Sequence, residues 1–225
     1  FAKDYDDTWE WDGRAWAQRN VAGPSARSRH AMATLGNKIV LFGGLGGGRD
    51  LDDTWEWDGS AWSQKTIAGP SARVGHAMAE LNGRIVLFGG VGVTADTWEY
   101  DGVAWSKKAI AADGGPGERA FFSMATLGGK VILFGGERDA NHFLADTWSW
   151  DGARWTLLSV SGPSERFHHG LVAFGQKLVL FGGGSAPGAT PLFPADTWEW
   201  SGAAWSQKQP QTSPPGRYVY TLGVH

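Results

Sequence analysis

The chain has 225 residues, a formal net charge of −3 and no cysteine. The length suits one domain with a sizeable core, and the missing cysteine excludes disulfides, thiolate metal sites and thiol nucleophiles. The slightly acidic balance offers no basic field for nucleic acid, and apolar stretches of about six residues are too short for insertion into a membrane.

In chain order, the first predicted elements lie between Asp7 and Trp16. Trp9 and Trp11 alternate with Thr8 and Glu10, the period of a strand, and Asp12-Gly13 turns the chain into a second strand bearing Trp16. Arg27 to Leu35 reads as the next strand, Gly36-Asn37 as a hairpin turn and Lys38 to Phe42 as its partner, ending in Gly43-Gly44. From Asp53 the pattern begins again. Phe-Gly-Gly recurs at Phe42, Phe88, Phe134 and Phe181, and Asp-Thr-Trp begins at Asp7, Asp53, Asp96, Asp146 and Asp196. A period of about 46 residues means stacked supersecondary units that cannot bury their faces alone. Four meandering strands per unit predict an all-β propeller.

Spacing separates the fixed connections from the variable ones. From the arginine that opens each unit (Arg27, Arg73, Arg119, Arg166) to the phenylalanine before Gly-Gly is 15 residues every time. The two tryptophans of strands three and four are always 7 residues apart. From Phe to the next Trp the count is 13, 10, 14 and 17, and from Trp to the next Arg it is 11, 11, 14, 11 and 12. In an up-and-down meander both variable connections, 2–3 and 4–1, leave from one edge of the blade. Length variation therefore falls on one face, where binding is expected.

These residues resemble the kelch repeat, of bacterial type. The likeness rests on the Arg-led strand, the apolar strand ending in Gly-Gly, the aromatic pair of Asp-Thr-Trp-x-Trp/Tyr, and the later Trp. It covers nearly the whole chain. It implies a single kelch-type β-propeller domain over residues 1–225, either whole or part of a longer chain. Four complete four-stranded blades are expected, with a fifth from the two termini: Asp7 to Trp16 gives strands three and four, and Arg217 to Val224 gives strand one. The resemblance also implies a binding platform. WD40 is the weaker match, because Gly-His opens only one unit, at Gly75-His76.

All fourteen tryptophans fall in strand three or four, so packing between blades is expected of them, and Trp55→Ala is expected to cost roughly 3–5 kcal/mol. Met32, Met78 and Met124, each five residues after the arginine, read as core. The recurring arginine reads as a brace that hydrogen-bonds loop carbonyls. Three residues after it stand His30, His76, Phe122, His169 and Tyr220. A shared metal would need such histidines within about 2.0–2.1 Å of one ion, and Phe122 and Tyr220 interrupt the ring. Glu137, Asp139 and His142 offer hard-metal ligand types on one connection, at a spacing unlike that of the iron-dependent specifier proteins among kelch relatives. No metal and no cofactor is expected.

Symmetry breaks two residues after each arginine, at Arg29, Gly75, Phe121, His168 and Val219. The 2–3 connections add Arg138, His142, Phe143 and Phe193. The expected binding residues are Arg29, Phe121, Arg138, His142, Phe143 and His168, for a protein or glycan partner. Two alternatives stand beside this one. The first is a sugar-modifying, epimerase-like enzyme at the mouth of the central channel, using Arg, His and Glu118. The second is a structural module that self-associates through the edges of an incomplete blade.

Overall fold

A computed structural model describes residues 3–92, 95–108, 114–158, 160–186, 188 and 192–218. Two short strands, β1 (Thr8–Trp11) and β2 (Trp16–Arg19), form an antiparallel pair. Four antiparallel four-stranded blades follow in chain order. Blade I comprises β3 (Ala31–Leu35), β4 (Lys38–Gly46), β5 (Arg49–Trp57) and β6 (Trp62–Lys65). Blade II comprises β7 (Ala77–Leu81), β8 (Arg84–Phe88), β9 (Thr97–Tyr100) and β10 (Trp105–Lys107). Blade III comprises β11 (Ser123–Leu127), β12 (Lys130–Asp139), β13 (His142–Trp150) and β14 (Trp155–Leu158). Blade IV comprises β15 (Gly170–Phe174), β16 (Lys177–Phe181), β17 (Thr197–Trp200) and β18 (Trp205–Lys208). The innermost strands lie side by side, β3 against β7, β7 against β11 and β11 against β15. This is the expected propeller. Of a fifth blade, β1 and β2 hold the outer strand positions ahead of blade I. At the other end the Arg217 carbonyl accepts the Gly183 N–H at 2.9 Å, as the Arg73 carbonyl accepts that of Gly44 at 3.0 Å. The remainder of the expected closing strand, residues 219–224, lies outside the described residues, with Val219 and Tyr220 in it.

Each interface between complete blades has its own apolar cluster, because period two sends alternate side chains to opposite neighbours. Val40 and Phe42 of blade I meet Met78, Ile85, Leu87 and Trp105 of blade II. Equivalent residues build the clusters between blades II and III and between III and IV. The Asp-Thr-Trp motif ties these layers together. Its threonine accepts the indole N–H of the following blade: Trp62 to Thr8 at 2.9 Å, Trp105 to Thr54 at 3.0 Å, Trp155 to Thr97 at 2.8 Å and Trp205 to Thr147 at 3.0 Å.

The recurring arginine does bond a carbonyl, that of the first glycine of Gly-Gly in its own blade, at 3.0–3.1 Å. Its main partner is the aspartate of Asp-Thr-Trp. Arg27–Asp53, Arg73–Asp96, Arg119–Asp146 and Arg166–Asp196 pair at 2.6–2.8 Å. The same carboxylate accepts the N–H of the tryptophan two residues on, at 2.6–2.7 Å. Burial pushes the Asp96 carboxyl up, but the Arg73 and Trp98 hydrogen bonds outweigh it and hold the group below the usual carboxylate range.

Gly43 meets a double requirement. Its φ is +62°, and an added Cβ would lie 2.9 Å from the Arg73 carbonyl oxygen. The next blade rests its inner strand directly on this backbone, so a side chain there is excluded on two counts.

Three expectations are corrected by the packing. Trp55 is half-buried, as are Trp98, Trp148 and Trp198. The enclosed rings are the second aromatic of the motif (Trp57, Tyr100, Trp150, Trp200) and the strand-four Trp105, Trp155 and Trp205. On strand three the first tryptophan lies beside the aspartate and the second turns into the interface. Met78 and Met124 are core, but Met32 is 52% exposed. Finally, the 2–3 connections of blades I and III are extensions of the strands themselves, closed by the turns Gly47-Gly48 and Ala140-Asn141.

Candidate functional site at the axial mouth

The residues two positions after each arginine share an unusual backbone. Arg29, Gly75, Phe121 and His168 have φ of 57°, 67°, 56° and 52°. Their peptide groups are linked from blade to blade: Gly75 N–H donates to the Arg29 carbonyl at 3.1 Å, Phe121 N–H to Gly75 at 2.8 Å and His168 N–H to Phe121 at 2.8 Å. This arc of hydrogen bonds crosses four blades around the axis. The left-handed conformation costs a non-glycine residue roughly 1–2 kcal/mol. Three of the four described non-glycine residues in it are Arg29, Phe121 and His168; the other is Asn82, in the β7–β8 hairpin turn.

The side chains form a row. Gly75 leaves a gap, and Phe121 fills it: a Cβ on Gly75 would lie 2.6 Å from the Phe121 ring. Across this gap the Arg29 guanidinium sits over the Phe121 face, 5.7 Å from its centroid. On the other side the His168 ring lies 4.2 Å from that of Phe121. Burial, and then the Arg29 charge, push the His168 imidazole down to about 4, so it is neutral at pH 7. Burial and neighbouring Asp139 push the half-buried Glu137 carboxyl up, against an opposing pull from Arg29.

Of the six expected residues, Arg29, Phe121 and His168 come together. Phe143 joins through an intermediate, stacking on Phe167 at 5.2 Å, and Phe167 lies 5.4 Å from His168. Arg138 and His142 stand apart on the exposed tip of the β12–β13 hairpin. There the His142 imidazole and the Asp139 carboxylate are 2.8 Å apart, and the Asp139–His142 contact closes the hairpin.

Residues outside the expected set complete the belt. Tyr218 lies 6.4 Å from His168 and stacks on Phe193 at 4.8 Å with the rings 3° from parallel. Phe167 and Tyr218 each stand one residue after an arginine, where the other units have Ser28, Val74 and Ala120. That position varies as fully as the next one, and its variation was the signal available in the sequence.

The histidines three residues after the arginine point away from this belt. His76 packs edge-on against Phe42 at 5.6 Å and His169 against Phe134 at 5.4 Å, as Phe122 packs against Phe88 at 5.8 Å. A phenylalanine filling the same site in blade III identifies these rings as interface packing.

A family model described as the KLHDC2/KLHL20/DRC7 Kelch-repeats domain matches residues 60–225, and one described as the Kelch motif matches residues 26–66. No curated protein sequence matches the chain.

Proposed function

The chain belongs to the kelch-repeat family, whose domains typically serve protein interaction, and we propose that it is a recognition propeller binding a protein through its axial mouth. The observation behind this reading is the left-handed backbone at Arg29, Phe121 and His168. Strained non-glycine positions persist where their side chains are used. The row combines one exposed cation with half-buried aromatic faces, the composition that dominates interfaces. Arg29 would pair with a carboxylate of the partner, and Phe121 and His168 would pack against an apolar side chain beside it. Phe143 and Phe167 extend this surface, while Arg138 and His142 offer rim contacts.

Selection from a displayed peptide library on the immobilised protein tests the reading. Enriched peptides are expected to carry Asp or Glu next to an apolar residue. Arg29→Ala combined with His168→Ala should weaken their binding by well over tenfold and leave the circular dichroism spectrum unchanged. Arg84→Ala, on the short-turn face, should have no effect. If Arg84→Ala abolished binding and the mouth variant bound normally, the faces would be reversed. Enrichment of glycans in a parallel array, with no peptide selected, would replace a protein partner by a carbohydrate.

A further inference from the structure

Blade II departs from its neighbours at the tip of its first hairpin. The turn between strands one and two begins with glycine in blades I, III and IV: Gly36, Gly128 and Gly175, with φ of 61°, 58° and 59°. Blade II has Asn82 in that place, at φ 52°, followed by Gly83 at 76°. Leu81 pairs directly with Arg84, so the loop holds two residues, both left-handed, which defines a type I′ turn. Both residues are exposed. A Cβ on Gly83 would meet nothing within 4 Å, so the space around this residue is open. The chain has four asparagines, and the other three precede Val21, Lys38 and His142. Asn82 alone precedes a glycine, whose missing side chain leaves its amide nitrogen unobstructed toward the side chain before it.

Four Asp-Gly turns supply the contrast. Asp12, Asp58, Asp101 and Asp151 each precede glycine, and in each the Oδ1 atom accepts the backbone N–H groups two and three residues on, at 2.7–2.9 Å. Those bonds, from Ala15, Ala61, Ala104 and Arg154 foremost, hold the carboxyls below the usual carboxylate range. An ionised carboxylate pinned in this way is a poor target for a nucleophile. The Asn82 amide is uncharged and makes no hydrogen bond among the described residues. The restraint falls on Gly83 instead, whose N–H donates to Glu80 Oε1 at 2.6 Å. Glu80 is itself anchored, because its carbonyl accepts the Thr126 hydroxyl of blade III.

We propose that Asn82 is a site of covalent modification, converting spontaneously to aspartate and isoaspartate, and that Glu80 is the latch that sets its rate. The Gly83 nitrogen gives up its proton to solvent hydroxide and attacks Asn82 Cγ. The N–Cγ bond forms, the bond from Cγ to the amide nitrogen breaks, and ammonia leaves. Water then opens the five-membered imide. Attack at Cγ gives aspartate, and attack at the main-chain carbonyl gives isoaspartate. Water is the sole co-reactant, and nothing is oxidised or reduced. Ring closure requires the Gly83 nitrogen and Asn82 Cβ on the same side of the Cα–C bond, whereas a type I′ turn holds them on opposite sides. The peptide must therefore turn over first, and that breaks the Gly83–Glu80 bond. Isoaspartate carries an extra methylene into the main chain of a loop whose register holds two residues. Either product places a carboxylate beside that of Glu80. Leu81, 3% exposed in the cluster between blades II and III, adjoins the loop. The hairpin belongs to the short-turn face, opposite the axial mouth, and its chemistry is independent of binding there.

The test ages the intact 225-residue protein in warm, mildly alkaline buffer. Mass spectrometry follows the tryptic peptide Val74–Arg84, and chromatography separates its aspartate and isoaspartate forms. Asn82 is expected to convert while Asn20, Asn37 and Asn141 remain amides. Glu80→Ala should raise the initial rate by about fivefold, the factor that one hydrogen bond of ordinary net strength represents. Glu80→Gln keeps an acceptor for the Gly83 N–H and should lie between. Wild type held in urea gives the unrestrained rate and should convert faster than the folded protein. Conversion of another asparagine ahead of Asn82 would overturn the site, and so would an Asn82 that stays an amide in the folded protein. An unchanged or lower rate in Glu80→Ala would overturn the latch. Equal rates for wild type in urea and in native buffer would overturn it without any variant.

Discussion

Removing the Asp96 carboxylate should be among the most damaging single changes to this protein. Arg73 is 0% exposed and Asp96 4%. Asp96 receives Arg73 Nη1 at 2.8 Å, Nη2 at 3.4 Å and the Trp98 indole N–H at 2.7 Å. In Asp96→Ala the guanidinium keeps the Gly89 carbonyl and Ser71 but loses the one carboxylate it pairs with among the described residues. Stranding one member of a buried pair costs about 3–5 kcal/mol, and the orphaned indole adds about 1 kcal/mol. Asp96→Asn keeps an acceptor for Trp98 and should fall between. Asp7 provides an internal control. It accepts the Trp9 N–H at 2.7 Å in the same motif, but it is exposed and has no arginine partner among the described residues, so Asp7→Ala should cost less than about 1 kcal/mol. Urea unfolding followed by tryptophan fluorescence and circular dichroism measures all three. Equal losses for Asp96→Ala and Asp7→Ala would refute the assignment of the arginine–aspartate pair as the tie within each blade.

Three further outcomes are expected. His76 and His169 are buried and their imidazoles are pushed down to about 3, first by burial and then by the adjacent Arg73 and Arg166. The unfolded chain takes up these protons near the ordinary value of 6.5. Stability is therefore complete above that pH and is lost as pH falls from it toward 3. With both histidines changed to Phe, as in blade III, the fall near pH 4.5 should be shallower by up to about 2.7 kcal/mol per pH unit, readable by denaturation at stepped pH. Trp150→Ala, at a fully enclosed site, should cost about 3–5 kcal/mol and Trp55→Ala clearly less; equal shifts in melting temperature would contradict the burial pattern. Trp200 Nε1 is buried without a partner among the described residues, because Ser149 stands where Glu56 serves Tyr100 and Glu99 serves Trp150. Ser149→Gln, which restores an acceptor without burying a charge, should raise stability by about 1 kcal/mol, and a lower melting temperature would count against it.

Much of the architecture was legible because repetition turns weak local signals into a strong one. Constant spacing of Arg to Phe and of Trp to Trp marked the short turns, and variable spacing marked the mouth. Partnerships that cross the variable connections were not legible. Arg73 and Asp96 are 23 residues apart, and Arg166 and Asp196 are 30, so no fixed interval advertises the pair. Strand parity showed that Trp55 and Trp57 share a face, but not which of them lies deeper in the interface. At the mouth, three of the six expected residues lie together, at positions the sequence marks by their asymmetry in an otherwise regular array. Arg138 and His142 stand apart from these because they sit at the tip of the β12–β13 hairpin extension. The left-handed backbone left no trace in the sequence beyond Gly75, since arginine, phenylalanine and histidine are poor markers of that conformation.

The arc through Arg29, Gly75, Phe121 and His168 is closed by peptide groups alone, and such bonds are indifferent to what the residue carries. Each blade thus presents an interchangeable socket at the same radius, held in place by its neighbours. A duplicated repeat can change the residue in this socket and still stack, so diversification at the mouth is decoupled from assembly of the ring. The empty socket at Gly75 extends the principle: a blade that contributes nothing lends its space to the ring of the next, and one blade's omission becomes another's reach.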